Sequence, residues 1–484
     1  MRISSFDFRN KFARRKALLH KICYNLNVEI KPKLAVTGYR GIWGESLSEQ
    51  ISFEYARGYA KMIASLPRSE KKKVLIGRDA RKSGIKIFGS VSRALEKENI
   101  EIVNAGIIPT PSVLLLVKKL NFDGGVMITA SHNPPEYNGI KFIVSPGRLT
   151  NEEEVTTIEK FRKNLTAEEK TTSISKIKEK KIDNTEFRKI HIDEIIKNID
   201  ADMIRNKRFK VALDPINGAG SIIAKELLEE LGCEVYEINE MQDGTFAHEP
   251  EPLPKNLGQI AETTLENKSD IGFALDPDAD RLVAVSELGQ VISEEHTLAL
   301  VVKNVLSKEP GDIVINIASS RTSEDVARTY GHKTFKTKVG EANVLSKMLE
   351  IGAPVGGEGG GGAIYPKINT SRDGLVCMGL ILELMAKENK KISEIVETLP
   401  RYVMRKEKIP VVEKADVLFE KLKKVFPEAR LTEIDGVRFD WPDLSWLSVR
   451  ASITEPIIRI FGEAKTEERI NSLFQTAMLT LNQK

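Results

Sequence analysis

The chain has 484 residues, of which 41% are hydrophobic and 29% charged, and its formal net charge is +4. That length exceeds one hydrophobic core and predicts roughly three or four domains, while the composition excludes a disordered chain. No apolar run approaches the ~18 residues of a membrane helix, and Cys23, Cys233 and Cys377 are too few and too scattered for a disulfide framework or a zinc site, so a cytoplasmic protein with no membrane partner is expected.

Residues 1–33 form a basic N-terminal extension with nine Lys/Arg and two Asp/Glu, leaving the rest of the chain at −3. Phe8, Phe12, Leu18, Leu19 and Ile22 could line one face of a helix there, as in a transit peptide or a membrane-surface helix; a plain basic extension is the simpler reading. The body is nearly neutral, and its composition gives no case for nucleic-acid binding.

Beyond residue 33, a β-branched run followed by a turn and an amphipathic helix recurs. Val74-Leu75-Ile76-Gly77 predicts a buried strand, with a helix near 84–97. Phe209–Asp214 predicts a second, with Asn217-Gly218-Ala219-Gly220 opening a helix through Leu231. Asp312–Asn316 predicts a third, with a helix near 322–330. This alternation predicts α/β layers with largely parallel sheet. Charge-rich stretches at 166–184 and 403–409 read as linkers. After residue 403 shorter alternating runs, at 446–450 and 456–461, and a closing helix near 466–482 predict a smaller α+β domain.

Four constellations carry chemistry. Thr129-Ala130-Ser131-His132-Asn133-Pro134-Pro135 follows the apolar Val126-Met127-Ile128. A serine in a loop at a strand end, hemmed by Asn and Pro, is expected to be exposed and rigid, which suits a nucleophile or a phosphorylated carrier. Neighbouring side chains on a strand diverge, which makes His132 a poor general base for Ser131, and the G-x-S-x-G elbow of serine hydrolases is absent.

Asp276-Pro277-Asp278-Ala279-Asp280-Arg281 places three carboxylates at alternate positions, oxygen ligands for a hard divalent cation. The spacing of Asp276, Asp278, Asp280 and Glu287 imitates an EF-hand, but Arg281 occupies the position of the required glycine, and the flanks 271–275 and 282–286 read as strands. Gly356-Gly357-Glu358-Gly359-Gly360-Gly361-Gly362 lets backbone and one carboxylate approach a ligand closely, and no Lys-Ser/Thr follows to make it a Walker loop. Arg450-Ala451-Ser452-Ile453-Thr454 sets a guanidinium and two hydroxyls in a turn, a candidate phosphate clamp.

In this order the four resemble the motifs of the α-D-phosphohexomutase family, from about residue 34 to the end. The serine motif T-A-S-H-N-P falls on Ser131, the magnesium loop D-x-D-x-D-R on Asp276, Asp278, Asp280 and Arg281, the sugar loop G-E-x-x-G on Gly357 to Gly361, and the phosphate loop R-x-S-x-T-x-P on Arg450, Ser452 and Thr454. Tyr39-Arg40-Gly41 is similar to the family's R-G turn, Asn138-Gly139-Ile140-Lys141 to its N-G-x-K stretch, and 248–254 to a family connector.

The resemblance implies three similar α/β domains (34–182, 183–290 and 291–402) and a smaller C-terminal α+β domain (403–484) around a central cleft. It implies a catalytic set of Ser131, Lys141, Arg40, Arg281 and His132, and a Mg²⁺ held by Ser131, Asp276, Asp278 and Asp280. Gly357, Glu358, Gly360, Arg450, Ser452 and Thr454 would bind a hexose phosphate, in a monomer or homodimer. The implied reaction interconverts hexose 6- and 1-phosphates, with glucosamine phosphate the first expectation and mannose or glucose phosphate the alternative. The alternative of another class is an inactive phosphosugar-binding paralogue. Two departures stand out: Gly360 replaces the Ser or Asn usual in the sugar loop, and Ile453 the small or polar residue usual in the phosphate loop.

Overall fold

A computed structural model describes residues 34–36, 38–67, 71–171, 182–411, 413–452 and 457–482. The 1–33 helix reading and Thr454 lie outside them. The chain divides into two compact units, 34–401 and one built on 402–484.

The first unit holds three sheets. Strands β1 (Tyr39–Ile42), β2 (Lys73–Arg78), β3 (Glu101–Ile107), β4 (Gly124–Ile128), β5 (Tyr137–Val144) and β6 (Arg148–Leu149) form the first, in the order β1-β5-β4-β2-β3, with β6 on β5. The second consists of β7 (Lys210–Asp214), β8 (Glu234–Glu237), β9 (Ile271–Leu275) and β10 (Leu282–Ser286), ordered β10-β9-β7-β8. The third consists of β11 (Ile313–Asn316), β12 (Thr334–Thr337), β13 (Gly356–Glu358) and β14 (Gly362–Ile364), ordered β12-β11-β13-β14.

One plan repeats in all three. A central strand (β2, β7, β11) pairs in parallel with the next strand in the chain on one side and the one after on the other, and a fourth strand (β5, β10, β14) returns antiparallel beside the third. The sheets are therefore mixed rather than largely parallel. Repeated strand-plus-helix units announce the parallel core, but antiparallel return strands leave no comparable periodicity. Arg40, expected in a turn, lies on β1 opposite Gly139 of β5.

Central strands such as β2 and β9 are apolar along most of their length because both faces are covered. The helix Gly84–Glu96 buries Ile87, Val91, Ala94 and Leu95, one helical stripe, against Val74 and Ile76. The helix Gly374–Glu388 is apolar nearly all round and shares one core with Leu213 and Phe273 of the second sheet and Ile313 and Ile315 of the third.

The C-terminal unit is an antiparallel sheet of β15 (Val403–Pro410), β16 (Arg430–Thr432), β17 (Val437–Asp440), β18 (Trp446–Ala451) and β19 (Ile457–Ala464), ordered β15-β19-β18-β17-β16. Helices Ala415–Val425 and Glu467–Asn482 cover one face through Leu418, Leu422, Ile470 and Phe474. Residues 403–409, read as a linker, are β15. Their charges belong to an edge strand, where polar side chains also discourage pairing with other chains. Among the described residues no helix is long and apolar enough to cross a membrane.

Fully buried Asp373 ties the first unit together. Its carboxylate caps the helix Gly374–Glu388 through the N–H groups of Leu375 and Val376, and it meets His191 Nε2 at 2.9 Å; His191 Nδ1 lies 2.8 Å from Ser112 Oγ. Asp373→Ala removes a cap and leaves Nε2 of buried His191 without its partner, so it should cost about 2–4 kcal/mol, measured as a lower urea midpoint with little change in the native far-UV spectrum.

Candidate active site

Ser131 follows β4 in the left-handed region, φ 52°. This conformation is unfavourable for a residue with a Cβ, and both of its peptide links are held. Its N–H donates to Thr129 Oγ1 at 2.8 Å, and its carbonyl accepts from Arg81 Nη2 at 2.6 Å. The side chain donates to Asp276 Oδ2 at 3.0 Å. Ser131 is only 1% exposed, contrary to the expected exposed loop, because Asp276 of the β9–β10 connection covers it. His132 Nδ1 lies 3.2 Å from Ser131 Oγ. The strand rule that separated these side chains fails here because the backbone has left the extended conformation.

The β9–β10 connection brings Asp276, Asp278 and Asp280 together, each offering an oxygen within 4.8 Å of the others, all buried. Its carbonyls are held by backbone N–H groups: Pro277 by Ala219, Asp278 by Thr110, and Ala279 by Gly374. Asp276 Oδ1 accepts from the N–H of Arg281. Asp278 Oδ2 accepts from Thr110 Oγ1 at 2.5 Å and Lys141 Nζ at 2.7 Å. Asp280 Oδ2 accepts from Arg372 Nη2 at 2.7 Å. Asp278 Oδ1 and Asp280 Oδ1 are buried with no hydrogen-bond partner among the described residues. Arg281 Nε stands 3.8 Å from the latter. Buried carboxylate oxygens without a hydrogen bond, in a cluster of three carboxylates, are what a hard divalent cation satisfies, so the donor set fits such an ion.

Burial, with the neighbouring charges of Asp278 and Asp280, pushes the Asp276 carboxyl well above its ordinary pKa. Burial acts the same way on Asp278, but the Lys141 ammonium and the Thr110 hydroxyl outweigh it and hold that group low. Arg372, which burial alone would weaken as a base, is raised well above its usual value by Asp280, Glu341 and Glu358. Burial lowers Arg40 against the pull of Asp278 and Asp280, and its Nη1 donates to Asn133 Oδ1 at 3.2 Å.

The glycine-rich stretch is a tight hairpin between β13 and β14. Gly361 has φ 92° and its carbonyl accepts from Leu282 N–H, and a Cβ on Gly359 would sit 2.3 Å from the Glu295 carboxylate. At Gly360, next to Arg281, an added Cβ would meet only Arg281 Nη1, at 3.7 Å. Gly357, on β13 at its end of the hairpin, pairs with Ala363 of β14. Glu358 is buried, accepting from Asn316 Nδ2 and Gly340 N–H on one oxygen and from Arg372 Nη1 on the other.

The structure thus gathers Ser131, His132, Arg40, Lys141, the three aspartates, Arg281 and the hairpin within one unit. Arg450 and Ser452 belong to the C-terminal unit, where Arg450 Nη1 lies 3.4 Å from Asp435 Oδ2 and Ser452 N–H donates to Ile457. Sequence reasoning missed Arg81, Thr110, Glu341 and Arg372. The only signal was charge at unusual places: Arg78-Asp79-Ala80-Arg81 at the end of a buried strand and Arg372-Asp373 at the head of an apolar helix.

Residues 33–169, 189–289 and 293–402 match domains I, II and III of the family described as phosphoglucomutase/phosphomannomutase, each alpha/beta/alpha. The chain belongs to this family. It is 35% identical over 451 residues, 92% of this chain and 97% of the relative, to a Thermococcus kodakarensis protein named phosphoglucomutase/phosphomannomutase. It is 33% identical over 449 residues (90% and 96%) to a Sulfurisphaera tokodaii phosphoglucosamine/phosphogalactosamine mutase. A Burkholderia thailandensis phosphoglucomutase/phosphomannomutase family protein of known crystal structure superposes with a TM-score of 0.77 at 26% identity, covering 93% and 97% of the two chains. The fold is the family's: three α/β/α domains and a fourth, sheet-rich C-terminal one.

A cation held by these carboxylates would compete with protons for Asp276. Its raised pKa means that, without a cation, the folded protein takes up a proton the unfolded chain releases, so this group's favourable contribution is lost as pH rises through the raised value. A bound divalent cation would offset that loss. The rise in Tm on adding Mg²⁺ should therefore be larger at about pH 8 than at about pH 5. Asp276→Asn should abolish this response yet raise the cation-free Tm at pH 8, since it removes a repelling buried charge. Scanning calorimetry decides, and equal shifts at both pH values would contradict the assignment.

Proposed function

We propose that the protein is a phosphohexomutase that interconverts hexose 6-phosphates and hexose 1-phosphates with Ser131 as the phosphoryl carrier. One observation carries this reading: the Ser131 hydroxyl lies 3.0 Å from Asp276, inside a buried three-carboxylate cation site. That is the arrangement a transferring phosphoryl group needs, where positioning and charge stabilisation dominate.

In the proposed reaction the free hydroxyl oxygen of the hexose phosphate bonds to phosphorus as the bond from phosphorus to Ser131 Oγ breaks. The hydroxyl loses a proton and the departing Oγ gains one, so the step is proton-neutral and yields a hexose bisphosphate. After turning over, the bisphosphate returns its other phosphoryl group to Oγ by the same step. Lys141, with Arg40 beside it, is assigned proton handling and charge stabilisation at the serine, and His132 Nδ1 stands in reach of Oγ. Arg281 and the hairpin from Gly357 through Glu358 to Gly360 face the sugar. Arg450, Ser452 and Thr454 take the phosphate that is not reacting. A Mg²⁺ held by Asp276, Asp278, Asp280 and the phosphorylated serine would neutralise charge on the group in transit.

Ser131→Ala should fold normally and lose turnover by about a thousandfold or more; near-normal activity in a coupled mutase assay would contradict the carrier role. For the sugar, glucosamine phosphate is the preferred substrate we assign, within a broad specificity. The breadth is motivated by the bare space at Gly360, since a site with no side chain there cannot reject an analogue by leaving a dedicated partner unpaired; the preference is motivated by the relatives named phosphoglucosamine mutase. The kcat/KM values for glucosamine, glucose and mannose 1-phosphates should therefore lie within roughly a thousandfold of one another, and a wider spread would place specificity elsewhere.

A further inference from the structure

We propose that Arg81 is a positioning residue for phosphoryl transfer, a buried strut that aims the Ser131 hydroxyl. The inference rests on the carrier role of Ser131 proposed above. Arg81 is 1% exposed, and its guanidinium makes five hydrogen bonds, the full complement of an arginine. Nε donates to Asp79 Oδ2 at 3.0 Å. Nη1 donates to the carbonyls of Pro134 at 2.6 Å and Tyr137 at 3.0 Å. Nη2 donates to the carbonyls of Ser131 and Asn133, each at 2.6 Å. Four of the five acceptors are main-chain oxygens of residues 131–137, three in the loop that carries Ser131 and one at the head of β5. On its other side the guanidinium lies 4.9 Å from the Phe246 ring centroid.

Asp79 closes the circuit. Its Oδ2 also accepts from Thr129 Oγ1 at 2.6 Å, and Thr129 Oγ1 accepts from Ser131 N–H. The serine is thus gripped at its N–H through Asp79 and Thr129 and at its carbonyl by Arg81 directly. Its left-handed φ is unfavourable by itself, and these two grips hold it with Oγ toward Asp276. Arg81 donates to none of the three aspartates, so it acts on the nucleophile's direction and not on the cation site. A carbonyl-binding role of this breadth needs a planar fork. A lysine ammonium keeps the charge beside Asp79 but cannot reach four carbonyls from one point.

Displacing a reacting atom by about 1 Å costs on the order of a hundredfold in rate. Arg81→Lys should therefore lower kcat by about 30- to 100-fold while KM for the hexose 1-phosphate stays within about threefold. The Tm rise on adding Mg²⁺ should persist. Thr129→Val, close in shape but without the hydroxyl, should show the same split of kcat from KM, and Thr129→Ser should recover most of the loss. If Arg81→Lys does not fold, the Thr129 pair carries the test. A kcat within threefold of the parent in both Arg81→Lys and Thr129→Val would overturn the proposal. So would a fall in kcat matched by a rise in KM and loss of the Mg²⁺ response, which marks general damage. Ser131→Ala is assayed alongside. Should it stay active, the carrier reading itself fails; should it be inactive while Arg81→Lys and Thr129→Val are both normal, only the strut fails.

Discussion

Three carboxylates within 4.8 Å of one another, shielded from water, repel strongly, and the first unit is arranged around that repulsion. Buried charges are tolerated only when paired. Here the partners arrive from different elements: Thr110, at the head of the helix Thr110–Lys119, and Lys141 on β5 meet Asp278, and Arg372, after the third sheet, meets Asp280. The loop's own carbonyls are taken by Ala219, Thr110 and Gly374. Arg372 carries the network onward to Glu341 and Glu358, so the cation site and the proposed sugar carboxylate share one guanidinium. One oxygen each on Asp278 and Asp280 accepts no hydrogen bond among the described residues, with Arg281 Nε 3.8 Å from the latter, and these two are the oxygens a divalent ion would use.

The repeated sheet plan explains why three unrelated-looking motifs act together. Ser131, the aspartates and the glycine hairpin each lie where the third strand of a repeat turns back into the antiparallel fourth, at residues 129–136, 276–281 and 359–361. Each therefore leaves the carboxyl end of a parallel strand, the edge where α/β sheets hold their ligands. One supersecondary device, used three times, supplies the proposed nucleophile loop, cation loop and sugar loop. The packing between them is close: Leu282 at the end of the cation loop donates its N–H to Gly361 of the hairpin.

Much of this is legible in the sequence wherever local pattern decides. The apolar runs at 74–77 and 271–275 are strands because both faces are covered, and the alternate aspartates converge because the chain turns there. Where distant partners decide, local pattern misleads. Ser131 reads as exposed because nothing nearby in sequence covers it, yet Asp276, 145 residues on, does. His132 reads as pointing away because the rule used belongs to strands, and a left-handed serine breaks it. Residues 403–409 read as a linker because an edge strand wears charges. Arg81 and Arg372 are invisible to periodicity, since their partners are loop carbonyls and carboxylates brought together only by the fold.

The account stands or falls on the phosphoryl group passing through Ser131. Its most direct test follows that group by mass spectrometry through one turnover with a hexose 1-phosphate. The account predicts phosphoserine at Ser131 in the active protein, its loss as hexose bisphosphate appears, and its return as hexose 6-phosphate forms. Turnover with Ser131 unmodified throughout, or with its phosphoryl group retained through every cycle, would contradict it.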